Sequence, residues 1–355
     1  MTYGGGLWRT WFDRDLILAG KVIVKEDRRL VSKYWRSERP LANLPSLCIH
    51  LDTEREAFSP NKERHLKPVM STQIIDSLFG EDVPPVSNDL YNLDKNHFAT
   101  LTNLISEDLA IERDSIVNFE LSLADAMPSA ITGLHGEFVS SPRLDNLASS
   151  FASLDALLAH KENPDRSHSE IDMVMLFDHE EVGSTSAQGA DSNMAQEITE
   201  RIYQNAGGSR EDYFRAIHRS LIISADMAHG VHPNYSDKHQ PQHAPRMHEG
   251  LVLKINANQR YMTDSVGMAL MRTLAARVDV PLQDFIVRND SLCGSTIGPM
   301  MAAKAGIKTI DIGAPSLAMH SIREMCGVVD LLYYKRLFGV FFDEYSELSD
   351  PLLSE

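Results

Sequence analysis

The sequence predicts an α/β protein, a three-layer domain with a mixed sheet joined to a strand-rich segment. Two textures carry that reading. Up to about Met127 apolar residues recur on a short period, and beyond it short apolar strands alternate with longer helical stretches. Composition sets the class: of 355 residues, 43% are hydrophobic and 24% charged, a globular balance with ample chain for a core.

Leu16 to Lys25 reads as strand, turn, strand, and Leu47 to Leu51 and Ile116 to Leu121 as further strands. Phe58 to Lys67 and Phe79 to Asn96, rich in Pro, Asn and charge, read as loops. From Asn146 to His160 a helix is expected, with Leu147, Phe151, Leu154 and Leu158 on one face. Met173 to Phe177 reads as a short buried strand. Ser209 with Asp212 forms a capping box for a helix to Ser220. Leu221 to Ala225, Leu251 to Ile255, Phe285 to Val287 and Thr309 to Ile312 read as strands, and Ser265 to Val278 as a helix.

Thirty-four Lys and Arg face 50 Asp and Glu, and the formal charge of −16 argues against nucleic-acid binding. No apolar run approaches the ~18 residues of a membrane span. Met1 to Gly6 lacks the charged and apolar regions of a signal peptide. Cys48, Cys293 and Cys326 are odd in number and widely spaced, as in a reducing compartment. The expectation is a soluble cytoplasmic protein.

Polar residues cluster where these strands end, the usual ligand position in open α/β sheets. Asp145, in Pro142-Arg143-Leu144-Asp145-Asn146, reads first as a helix cap and second as a ligand. Asp178-His179-Glu180-Glu181-Val182-Gly183 follows an apolar strand and precedes a Gly/Ser loop, so burial of at least one glutamate is expected. Adjacent carboxylates point apart, so one can hold a metal while the next faces a water, as metal-assisted hydrolysis requires. Asp226 opens a histidine-rich stretch, five of the fourteen histidines lying between His229 and His248. His320 supplies a fourth metal-capable group beyond a fourth strand. HExxH, P-loop, GxGxxG and GxSxG motifs are absent, and Ser295 reads as structural.

Tyr3-Gly4-Gly5-Gly6-Leu7-Trp8, Trp11-Phe12-Asp13-Arg14-Asp15-Leu16, Arg143-Leu144-Asp145-Asn146, Asp178 to Ser184, Ser224 to His229 and Met319 to Glu324 together resemble the aspartyl aminopeptidases, a family of metallopeptidases. The match runs from Thr2 to about Leu353 with the motifs in family order. The resemblance implies a three-layer α/β/α two-metal domain that removes N-terminal Asp or Glu from peptides with zinc, two ions per subunit. Asp145 would bridge the ions, Glu181 and His320 would complete the second, Asp226 would bind the first, and Glu180 falls on the general base. His229, Lys254 and Tyr261 fall on substrate contacts, and His50 on a histidine that reaches a neighbouring subunit's active site. Residues 1–11 would be a remnant of the catalytic domain, 12–127 an inserted dimerisation domain and 128–355 the catalytic domain, in a homo-oligomer that in the family is a dodecamer. Lys254 with His229 could supply the cation an acidic substrate needs.

Family members carry a His-x-Asp motif ahead of the Tyr3-Gly4-Gly5-Gly6 motif, and this sequence does not include it. The resemblance therefore implies a weakened first site, about one tightly held zinc, and manganese as the metal an oxygen-rich site tolerates. It also implies an uncovered sheet edge. His179 or His232 is the residue that could substitute. The alternative reading is a non-catalytic truncated chain acting as an assembly subunit. A two-metal hydrolase of another specificity explains the ligands but neither the insert nor the tryptophan motif.

Overall fold

The computed structural model describes residues 2–3, 5–53, 55–72, 74–75, 78, 97–160 and 170–349. The chain divides into two compact units, Leu7–Pro128 and Met1–Gly6 with Ser129–Glu355.

In the strand-rich unit β1 (Asp15–Glu26) pairs antiparallel with β2 (Arg29–Arg36) and, at its start, with β3 (Ala42–Asn43). After α1 (Ala99–Leu109), β4 (Ile116–Asp125) lines the opposite edge of β1. Leu18, Val22, Val24 and Trp35 meet Ile105 and Ile116 in the core of this unit. Two expectations fail here. Leu16 to Lys25 is one continuous strand, not strand, turn, strand. Gly20 sits mid-strand opposite Trp35 and Leu121, and a Cβ there would run into the Glu120 carbonyl, so it serves close approach of the backbones rather than a turn. Leu47 to Leu51 is an exposed turn, because the Cys48 carbonyl accepts from both Leu51 and Asp52 N–H. Phe58 to Lys67 is a loop as expected, and Phe79 to Asn96 lies outside the described residues.

The larger unit starts with β5 (Ala130–Thr132), β6 (Phe138–Ser141) and α2 (Leu144–His160), then α3 (Met194–Asn205), α4 (Arg210–Arg219), β7 (Leu221–Ala225) and β8 (Ala228–His229). It continues with β9 (Leu251–Ile255), α5 (Ser265–Arg277), β10 (Leu282–Ile286), α6 (Gly298–Ala305), β11 (Lys308–Gly313), β12 (Pro315–Leu317), β13 (Glu324–Gly327) and α7 (Val328–Ser349). Ser209 caps α4 by accepting the Asp212 N–H, as its pattern predicts. A four-stranded mixed sheet runs β10-β9-β11-β7, and a five-stranded one runs β5-β6-β13-β12-β8.

The central strands explain the layering. Leu251, Val252, Leu253 and Ile312 are fully buried and Ile310 nearly so, as in strands covered on both faces. Along β7, Leu221, Ile223 and Ala225 join the cluster formed with α2, α5 and α7, while Ile222 joins a second cluster with Ala195 and Met301 of α3 and α6. That alternation puts helices on both sides of the sheet. No helix among the described residues is long and apolar enough to cross a membrane.

Two further expectations change. The α2 helix forms, but its Leu147, Phe151, Leu154 and Leu158 point outward, with Phe151 73% exposed. Ser149, Ala152 and Ala156 form the packed side instead, small enough to bring α2 close to α7, where Ser149 Oγ lies 3.0 Å from the Tyr334 hydroxyl. Met173 to Phe177 joins no strand ladder among the described residues and is only partly covered, Leu176 remaining exposed.

Candidate metal centre

Three chain segments meet where these strands end. After β6 the backbone turns through Arg143, at φ +57°, into the start of α2, which carries Asp145. The Asn146 side-chain amide donates to the Ala225 carbonyl at 2.7 Å, tying this turn to the end of β7 and hence to Asp226. Glu180 and Glu181 stand on a turn closed by Ser184 N–H donating to the His179 carbonyl at 2.8 Å. His320, at φ +63°, lies in the loop between β12 and β13.

Among the described residues one group of three metal-capable side chains converges, Asp145, Glu181 and His320, their ligand atoms all within 4.8 Å of one another. His320 Nε2 lies 3.4 Å from Asp145 Oδ2 and 3.3 Å from Glu181 Oε1. Its other nitrogen, Nδ1, donates to the Gly5 carbonyl at 3.0 Å, which leaves Nε2 for the carboxylates. Gly5 is close enough that a Cβ there would sit 2.5 Å from that ring nitrogen. Glu180 and Glu181 are both exposed, so the expected burial of one of them is not found: the turn that carries them follows a segment with no strand partner among the described residues.

Charge is crowded here. The Asp145 carboxylate, and after it Glu181, lift His320 to about 9. Desolvation lifts Glu181 to about 7, and Glu180 also rises, through desolvation and then the Asp145 charge. Burial works against ionisation of Asp145 too, but His320, Asp226 and Lys254 together hold it below its ordinary range. Burial raises Asp226 well above its ordinary value, against the opposing pull of the Lys254 ammonium. The protonated imidazole stands between carboxylates as a cation would. An imidazole and two carboxylates at this spacing fit zinc.

Asp226 faces a different partner, Lys254 Nζ at 3.4 Å, and the Lys254 side chain is only 3% exposed. Lys254 in turn lies 5.6 Å over the Tyr261 ring. His229 is held below the ordinary histidine range, first by desolvation and then by the Lys254 ammonium. His50 lies on an exposed turn of the strand-rich unit. His179 and His232 are engaged locally, with Ser186 Oγ at 2.6 Å and with the Asn234 N–H at 3.2 Å.

Among the buried acids that went unread in the sequence are Glu324 and Asp311. Glu324 accepts the backbone N–H groups of Asp145 and His320, and burial lifts it to about 7. Asp311, fully buried in β11, accepts the Met262 N–H and the Thr296 hydroxyl, both at 2.6 Å, beside Tyr261. An acid inside the apolar run Thr309-Ile310-Asp311-Ile312-Gly313 was the available signal for the second.

Comparison with known proteins bears on this geometry. Residues 1–342 match the family model described as aminopeptidase I zinc metalloprotease (M18). A probable aspartyl aminopeptidase of Ricinus communis is 44% identical over 99% of this chain and 76% of its own length. The cryo-EM structure of the Ape4 and Nbr1 complex superposes with a TM-score of 0.91 at 41% identity, covering 100% of this chain and 68% of that one. The S. cerevisiae mApe1 dodecamer gives a TM-score of 0.82 at 28% identity, over 99% of this chain and 74% of that one. An α/β fold with paired carboxylates and an imidazole at its strand ends, matched along nearly its whole length, belongs to the M18 family of zinc metallo-aminopeptidases.

Proposed function

We propose that this chain is a zinc aminopeptidase that releases N-terminal Asp or Glu from peptides, with Glu180 as general base. The observation that carries the reading is the convergence of Asp145, Glu181 and His320 with Glu180 on the same turn. Bound zinc supplies Lewis acidity at the scissile carbonyl and makes water a better nucleophile. Asp145, Glu181 and His320 would hold that ion. Glu180, raised above its ordinary range by desolvation and the Asp145 charge, takes the proton of the attacking water and delivers it to the departing amine. Asp226 with Asp145 would offer a second, weaker site of oxygen donors that manganese tolerates better than zinc, so that two ions in one subunit would be held unequally.

Acidic specificity is supported by the aspartyl aminopeptidase relative and by Lys254, the buried cation nearest the centre. We assign substrate contacts to His229, Lys254 and Tyr261, and a contact across subunits to His50. Residues 12–127 serve self-association in a homo-oligomer such as the dodecamer named for the structural neighbour, and the protein works in the reducing cytoplasm. The test is hydrolysis of aspartyl, glutamyl and leucyl chromogenic substrates by the zinc-loaded chain, with sedimentation of the same sample. Cleavage restricted to the acidic pair is expected. Association without hydrolysis of any of them would instead mark an assembly subunit.

A further inference from the structure

Glu324 lies outside the ligand set and the base, yet it touches the backbone of two of the proposed ligands. Its place follows from the smaller sheet: β13 pairs antiparallel with β6, putting Glu324 opposite Ser141, just before the turn that carries Asp145. On its other side β13 pairs with β12, and the loop between them carries His320. The carboxylate therefore sits between two segments remote in sequence. Oε2 accepts the Asp145 N–H at 2.7 Å and Oε1 accepts the His320 N–H at 2.8 Å. The side chain is buried, 3% exposed, and both oxygens are engaged.

His320 needs such an anchor. Its left-handed backbone, at φ +63°, is one a non-glycine residue leaves unless its surroundings hold it. The Gly5 carbonyl fixes the ring from one end, and Glu324 fixes the backbone from the other. Asp145, entered through the left-handed Arg143, is held by the second oxygen of the same carboxylate. One rigid group thus sets the separation of two ligands.

We propose that Glu324 is a positioning residue for the metal centre, clamping Asp145 and His320 at ligand spacing through their backbone N–H groups. The proposal rests on the metal-binding reading above. Two other roles are possible for a buried acid at this place: it could merely stabilise the loop, or merely add negative charge near the ion. Two variants tell these apart. Glu324→Gln keeps shape but presents an NH2 group to one of the two N–H donors. Glu324→Asp keeps the charge but is one methylene too short to reach both.

The experiment is competition of a chelator for Zn2+ with the purified chain and each variant, with visible spectra of the Co2+-loaded forms and thermal midpoints of the metal-free forms. Zinc affinity should fall about 10–100-fold in both variants, the size expected for groups that orient a ligand. The Co2+ bands should shift, and the metal-free midpoints should move little. Where one variant fails to fold, the other is decisive. Affinity within threefold of the unmutated chain in a folded Glu324→Gln, or in a folded Glu324→Asp, overturns the clamp, the second case leaving charge alone as its role. A large drop in metal-free midpoint with unchanged affinity also overturns it. Failure of the unmutated chain to bind Zn2+ would overturn the metal reading itself, a result distinct from these.

Discussion

The two sides of the strand-end site use the same residue type for opposite purposes. On one side Asp145 faces another carboxylate and an imidazole, a partner that can shed its proton and become a metal ligand itself. On the other side Asp226 already has its cation, the buried Lys254. A carboxylate paired with an internal ammonium gains less from a metal than one that is not, because the metal must displace or share that partner. The difference teaches that the strand end alone does not make a tight site: the neighbouring donors and charges do.

The comparison can be broken or sharpened by four substitutions. The largest effect is expected at the base. Glu180→Gln should lower kcat by about 10²–10⁴-fold while bound zinc stays unchanged, since a base acts on the water and need not hold the ion; steady-state kinetics beside metal analysis reads both. His320→Ala should weaken the tighter zinc site by more than ~100-fold, beyond what loss of an orienting neighbour costs, as read by chelator competition. Lys254→Met leaves Asp226 without its cation and should destabilise the metal-free chain by roughly 3 kcal/mol, as read by urea unfolding, with the tighter zinc site intact. Asp226→Asn should have the smallest effect on that tighter site, less than about threefold, while abolishing any stimulation by added manganese. If Asp226→Asn weakened zinc as much as His320→Ala does, the two sides would not be distinct.

Much of this site was legible in the sequence. Glu180, Glu181, Asp226 and His320 stood out because polar groups directly after apolar runs tend to mark strand ends, a rule that holds for Asp226 after β7 but not for the two glutamates, whose preceding run forms no strand ladder among the described residues. Asp145 read first as a cap, and its approach to His320 is what supports the ligand reading. Glu324 was not legible as an anchor, because its partners are backbone N–H groups and one of them is 179 positions away. The mixed sheet and its helices followed from periodicity. Gly20 was misread because a glycine in an apolar run signals a turn or a close approach equally well, and only the pairing with β4 selects. The outward stripe of α2 shows a second limit: periodicity identifies an apolar face but not which face is covered, and here the small residues pack.

The central claim, that Asp145, Glu181 and His320 form the tighter of two unequal metal sites, is tested most directly by a calorimetric titration of the metal-free chain with zinc. The account predicts two steps separated by at least about tenfold in affinity, as the donor sets require, with the tighter step absent in His320→Ala. Two equivalent steps, or a tighter step that survives His320→Ala, would contradict it.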